Sequence, residues 1–227
     1  MTPPPGASLS GLRRFARPVS ALAPAGLPRI GERRPESGTE RCELCDEALD
    51  ARHGHVVALE RRSLMCACRG CYLLFTREGA GGGKYRAVPE RYRHDPAHPI
   101  AEADWDALDV PVATAFFFYN SDLARIVGSY PSPAGATECQ LDLAAWERLA
   151  AGHPLLRALE PDVEALLITR AGRGVEAYLM PIDACYALVG RIRLLWSGLD
   201  GGAEVRDALA AFVADLRSRA TALTGEA

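Results

Sequence analysis

Five of the chain's seven cysteines fall between positions 42 and 71, as Cys42-Glu-Leu-Cys45 and Cys66-Ala-Cys68-Arg-Gly-Cys71, with His53 and His55 between the two groups. A thiolate is a soft, anionic donor, so two Cys-x-x-Cys pairs provide the four-sulfur set that tetrahedral Zn²⁺ or iron prefers. Cys42, Cys45, Cys68 and Cys71 are the expected ligands. Cys66, His53 and His55 are alternates: Cys66 either replaces Cys68 or is a buried strand thiol, and the histidines either join the site or pack beside it. A structural Zn²⁺ is the first expectation. Rubredoxin-like iron or a 2Fe–2S cluster satisfies the same spacing.

The elements that must bring these sulfurs together can be read from the intervening residues. His53-Gly-His-Val-Val-Ala-Leu-Glu60 alternates like a strand with His53, His55, Val57 and Leu59 on one face. Arg61-Arg62-Ser63 turns the chain, Leu64-Met65-Cys66 returns, and Cys68-Arg-Gly-Cys71-Tyr-Leu-Leu-Phe75 is a turn leading into a short helix. A knuckle, a hairpin and a second ligand pair at a helix start describe a treble-clef-like metal module over residues 41–93. So short a segment buries little core, and metal binding is expected to supply much of its folding energy, on the order of 10–16 kcal/mol in zinc-finger peptides.

The same order of Cys-x-x-Cys, His-x-His, hairpin, Cys-x-x-Cys and helix is similar to HNH nucleases. The similarity stops where catalysis would sit. Tyr72-Leu-Leu-Phe75 contains no histidine, and Arg61-Arg62-Ser63 stands where an asparagine would be expected. Nothing there supplies a second metal to activate water, which leaves at most a degenerate nuclease. Gly79-Ala-Gly-Gly-Gly83-Lys84 has glycines in the manner of a phosphate loop but lacks the following Ser or Thr and a preceding buried strand, so it is expected to be a connector.

Across the 227 residues, 48% are hydrophobic and 24% charged, and no run approaches the roughly 20 apolar residues of a membrane span. Residues 1–40 hold seven prolines and six arginines and are expected to be a disordered tail. The Arg13-Arg14 pair near the start is followed by no sustained apolar core, so an export signal is not expected. Cysteines clustered at metal spacing, rather than spread as a disulfide framework, point to the cytoplasm. Residues 1–93 carry 16 Lys and Arg against 10 Asp and Glu, or +6, and residues 94–227 carry 10 against 19, or −9. The basic residues form no continuous run, which favours docking onto the acidic half over binding nucleic acid.

Residues 100–222 read as an α+β domain with a sheet of about four strands covered by helices. Ala113–Tyr119 and Leu123–Val127 form one expected hairpin, and Glu164–Arg170 with Val175–Met180 form a second across Ala171–Gly174. Asp142 caps a helix carrying Leu143, Trp146 and Leu149; Asp183 caps another carrying Cys185, Leu188, Val189 and Ile192. A last helix aligns Val205, Leu209, Phe212, Val213 and Leu216. Tyr130–Thr137, dense in Pro and Gly, is expected to be a rigid loop. His94 and His98 read as solvated loop residues and Cys185 as a core thiol. Glu164, Arg170 and Asp183 would be a polar cluster or separate structural contacts, and no catalytic set is recognisable.

Taken together, Arg41–Cys45, Cys66–Phe75, Gly81–Arg86, Tyr130–Glu138, Asp162–Leu167 and Pro181–Tyr186 resemble an uncharacterised bacterial family, a domain of unknown function encoded beside uptake NiFe-hydrogenase genes. The resemblance covers roughly residues 41–220. It implies an accessory role in hydrogenase assembly, stability or electron delivery, with a hydrogenase subunit or maturation factor as protein partner and no activity to transfer. The overall expectation is a non-enzymatic, zinc-binding accessory protein; an iron–sulfur or rubredoxin-like electron carrier and a degenerate nuclease are the alternatives.

Overall fold

The structure is a computed structural model that describes residues 40–170 and 174–223. The expected N-terminal tail, apart from Glu40, and the centre of the second hairpin turn at 171–173 lie outside the described residues.

The fold is α+β, with two sheets. A small one is made of β1 (Gly54–Ala58), β2 (Ser63–Ala67) and β3 (Tyr85–Ala87), in the order β2-β1-β3, with α1 (Arg69–Leu74) following β2. The turn between β1 and β2 puts Arg62 at a φ of 51°. Between α1 and β3 the glycine-rich connector forms a 3₁₀ turn, Ala80–Gly83, with Gly81 at a φ of 61°. A Cβ at Gly81 would sit 2.8 Å from the Phe75 ring, so the close pass requires glycine. The connector therefore brings Tyr85–Ala87 back onto β1.

The large sheet has seven strands where about four were expected. Its members are β4 (Arg93–His94), β5 (Thr114–Asn120), β6 (Arg125–Ser132), β7 (Gly135–Cys139), β8 (Glu164–Thr169), β9 (Glu176–Pro181) and β10 (Thr221–Ala222), in the order β10-β4-β9-β8-β5-β6-β7. Only the β10–β4 pairing is parallel. The three additional strands are β4, β7 and β10. Two-residue strands carry no periodicity, and Gly135-Ala-Thr-Glu-Cys139 is too small and polar to read as one. Tyr130–Thr137 is accordingly not a loop: it spans the end of β6, a tight turn closed by Ser132 opposite Gly135, and the start of β7. Pro131 is accommodated because the β5–β6 pairing ends at Phe116 opposite Ser129, so no β5 ladder bond is missing there. His94 belongs to β4, paired between β10 and β9, whereas His98 is exposed beside Asp95.

Residues on alternate sides of the sheet feed two cores. Phe117, Leu166, Ile168 and Leu179 face Trp105, Trp146 and Leu149, which lie on α2 (Glu102–Ala107) and α3 (Leu143–Gly152); α4 (Pro154–Arg157) adds Leu155 and Leu156. Phe116, Leu167, Tyr178 and Met180 face Cys185, Leu188 and Ile192 of α5 (Ile182–Leu195) and Val205, Val213 and Leu216 of α6 (Gly202–Arg219). β8 is buried at every position because helices cover both faces. Asp142 caps α3 as expected, accepting from the Ala145 amide at 3.0 Å. Asp183 does not cap α5: the cap position is Pro181, and Asp183 lies in the first turn with its carboxylate turned to other partners.

The small sheet joins the second of these cores. Val57, with Leu59 and Leu64, packs into the cluster formed by the large sheet, α5 and α6, while Val56 faces a separate cluster with Cys42, Cys68 and Tyr72. β1 thus lies between the cysteines on one side and the main sheet on the other. Ion pairs follow the charge division read from the sequence: Arg86–Glu160 at 3.5 Å, Arg91–Glu160 at 2.8 Å, His55–Asp183 at 2.7 Å, and Arg62–Asp122.

Candidate metal centre

The first Cys-x-x-Cys pair is held in a knuckle. The Asp46 amide donates to the Cys42 carbonyl at 2.8 Å, Asp46 itself takes a φ of 64°, and the Cys42 amide donates to the Glu47 carbonyl. The knuckle is fastened to β2 by the Glu43 amide on the Cys66 carbonyl at 2.9 Å and by the Cys66 amide on Glu43 Oε2 at 3.1 Å. The second pair straddles the start of α1, where Cys68 is the N-cap and its Sγ accepts from the Cys71 amide at 3.5 Å. Tyr72, the buried residue of α1, fixes that helix by donating its hydroxyl to the Val88 carbonyl at 2.9 Å.

Through these fixings Cys42, Cys45, Cys68 and Cys71 converge, their Sγ atoms all lying within 4.8 Å of one another. Cys45 and Cys68 are 3.6 Å apart. That is far longer than a disulfide of about 2.05 Å and close to the edge of roughly 3.8 Å that a tetrahedron with Zn–S bonds of about 2.3 Å requires. All four are free thiols. They form a group able to hold a metal ion.

The electrostatics are those of anionic donors competing in one place. Burial pushes the Cys42 thiol up, but the amides of Cys68, Leu44 and Cys45 and the Cys45 thiol outweigh it and bring Cys42 down to about 6. Burial and the three neighbouring sulfurs hold Cys71 well above the ordinary thiol range. At neutral pH the metal-free group thus carries one favoured thiolate, and a divalent cation would remove the mutual penalty on the others.

The alternates do not join this group. His53, His55 and Cys66 form one of their own, with ligand atoms also within 4.8 Å of one another. The hairpin register explains it: His55 is directly opposite Cys66, and His53 lies two residues before His55, on the same face. The histidine rings are 5.0 Å apart at 59°. Burial would lower the His55 pKa, but the hydrogen bonds its ring donates to Asp183 and to Cys66 raise it to about 9. The polar residues of the main domain stay dispersed: Glu164 pairs with Arg91, Arg170 with Asp106 and Asp183 with His55. Cys185 is buried in the core, with its pKa pushed up by burial. Asp183 had no signal as a partner of the hairpin, because 128 residues separate it from His55.

A sequence-family model, described as a family of unknown function (DUF5947), matches residues 41–220. The chain belongs to DUF5947. The DUF5947 segment contains both cysteine pairs, the histidine hairpin and nearly all of the large sheet, so the two sheets lie within one family unit. No curated protein and no solved structure matches the chain. No helix among the described residues is long and apolar enough to cross a membrane.

Proposed function

We propose that this DUF5947 chain is a non-enzymatic, cytoplasmic accessory protein whose four-cysteine module holds one structural Zn²⁺. The observation that carries this reading is the convergence of the Cys42, Cys45, Cys68 and Cys71 sulfurs to within 4.8 Å of one another from a knuckle and a helix start. The order of knuckle, hairpin and helix is that of a treble clef, and a closed four-thiolate shell leaves no coordination position for substrate, which suits a structural ion. The protein partner is a component of a NiFe uptake hydrogenase or of its maturation, a role that rests on the family resemblance of the segments quoted above. Nucleic acid is disfavoured because three arginines of the basic half, Arg62, Arg86 and Arg91, are engaged with carboxylates of the acidic half.

Elemental analysis of the anaerobically purified full chain tests the metal. A colourless protein whose four-cysteine site holds zinc, lost in Cys42→Ser, is expected; stoichiometric iron with visible absorption that bleaches on reduction would identify an electron carrier instead. Co-purification of a tagged chain with hydrogenase subunits from a hydrogenase-expressing host tests the partner, and failure to enrich any of them removes that assignment.

A further inference from the structure

The His53, His55 and Cys66 group lies on the opposite side of β1 from the four-cysteine cluster, in the seam between the hairpin and the start of α5. Its hydrogen bonding is that of a metal site. His53 Nδ1 is 3.0 Å from the Asp50 carbonyl and His55 Nδ1 is 2.7 Å from Asp183 Oδ2. An oxygen acceptor at Nδ1 fixes a proton there and assigns Nε2 as the ligating atom, once any proton it carries is released, the arrangement by which a carboxylate or a backbone carbonyl orients a ligating imidazole. The His53 side chain is only 10% exposed, and its Nε2 is buried with no hydrogen-bond partner among the described residues. An orphaned acceptor of that kind calls for an unseen occupant. Beside it are a second imidazole and a half-buried thiol, presented on one face by strand register.

We propose that His53, His55 and Cys66 form a second metal site, separate from the four-cysteine centre, that takes a zinc-like divalent ion through two imidazoles and one thiolate. Binding releases to solvent the Cys66 thiol proton and the Nε2 proton of the His55 imidazolium, and forms two metal–nitrogen bonds and one metal–sulfur bond. Asp183 is a positioning residue: it holds the His55 tautomer and links the ion to the N-terminal turn of α5. Three protein ligands leave a fourth position, which water fills. Both histidines, though not Cys66, line a cleft of about 760 Å³ together with Tyr92, Asp183 and Arg219. Unlike the closed four-thiolate shell, this site is open to exchange, so its ion is expected to leave first.

The test is Zn²⁺ titration of the full chain, stripped of metal under reducing conditions, in competition with an indicator chelator. Wild type is expected to take two equivalents, the weaker yielding to a mild chelator. His53→Gln and Cys66→Ser are each expected to lose that weaker equivalent with far-UV circular dichroism unchanged, and Asp183→Asn to weaken it about 10- to 100-fold. Co²⁺ adds a spectroscopic readout, since Cys66→Ser should remove one thiolate-to-cobalt contribution and retain that of the four-cysteine centre. Cys71→Ser, which removes the other equivalent, keeps failure of one site distinguishable from failure of the other. A single equivalent in wild type at saturating Zn²⁺, or a second equivalent that survives in both His53→Gln and Cys66→Ser, overturns the proposal. So does rapid alkylation of Cys66 by iodoacetamide that depends on His55 and is unaffected by Zn²⁺, which would assign the group to a thiolate–imidazolium pair.

Discussion

Glu164 has no solvent exposure, and its charge is sustained by Arg91, whose Nε and Nη2 meet Oε1 and Oε2 at 2.6 and 2.9 Å, with the Glu160 amide adding a third bond. Removing the guanidinium leaves a buried, uncompensated carboxylate. Arg91→Ala is therefore expected to lower unfolding free energy by about 3 kcal/mol, the lower end of the 3–5 kcal/mol range for broken buried pairs because Arg91 is itself 38% exposed. Urea denaturation reads this, and Arg91→Met with Glu164→Leu should recover most of the loss; no recovery would mean that Arg91 acts through other contacts. A second residue-scale expectation concerns pH. The Arg217 guanidinium, followed by the Tyr178 hydroxyl, holds the Glu176 carboxyl below its ordinary value of 4.5. A depressed carboxylate pKa stabilises the fold above the unfolded value, and that contribution disappears as pH falls through the folded one. Wild type should thus lose stability more steeply below about pH 4.5 than Glu176→Gln, by no more than about 1 kcal/mol because the pair is partly in solvent. Parallel chemical-denaturation curves at pH 6 and pH 3.5 would show it.

At the scale of elements, the hairpin and α1 meet through a contact that tolerates no added atom. A Cβ on Gly54 would come within 2.5 Å of Tyr72 Cδ2, and the Tyr72 ring is buried and tied by its hydroxyl to Val88. Gly54→Ala is expected to cost about 1–3 kcal/mol by overpacking and to disturb both cysteine pairs, measurable as faster zinc loss to a chelator. The same geometry separates what metal holds from what packing holds. Cys42, Leu49, Val56, Ala67, Cys68 and Tyr72 make a cluster too small to sustain a knuckle and a six-residue helix. Chelation should abolish hydrogen-exchange protection at Asp46 and Tyr72, whose amides donate to Cys42 and Cys68, while β5, β8 and β9 stay protected. Equal loss in the large sheet would contradict this division.

For the whole molecule, the consequential feature is that β1 serves two cores. Val57 is 8% exposed and packs with the large sheet and α5, while its neighbour Val56 points to the cysteines. A carboxylate at position 57 would be buried without a partner, so Val57→Asp is expected to lower the melting temperature reported by Trp105 and Trp146 fluorescence, although both tryptophans lie across the large sheet. An unchanged tryptophan transition would show that the small sheet contributes nothing to the stability of the large one. Among the described residues, Arg62, Arg86 and Arg91 add ion pairs to Asp122 and Glu160 across the same seam.

The sequence by itself determined the α+β class, the grouping of the four cysteines, the cap at Asp142, the long hairpins and the apolar stripes of α5 and α6. Each of these is local: ligand spacing, alternation and helical periodicity are properties of residues a few positions apart. It did not disclose β4, β7 or β10, because two-residue strands and a polar edge acquire their conformation from the strand they pair with and not from their own side chains. The separate grouping of His53, His55 and Cys66 was half legible: both histidines were placed on one face, but setting Cys66 opposite His55 needed the turn length that fixes register. The roles of Asp183, Arg91 and Glu164 were decided only by tertiary structure. Their partners are 73 to 128 residues away, and which buried charges meet across such a distance depends on how the hairpin docks on the sheet, an outcome of the packing of the entire core.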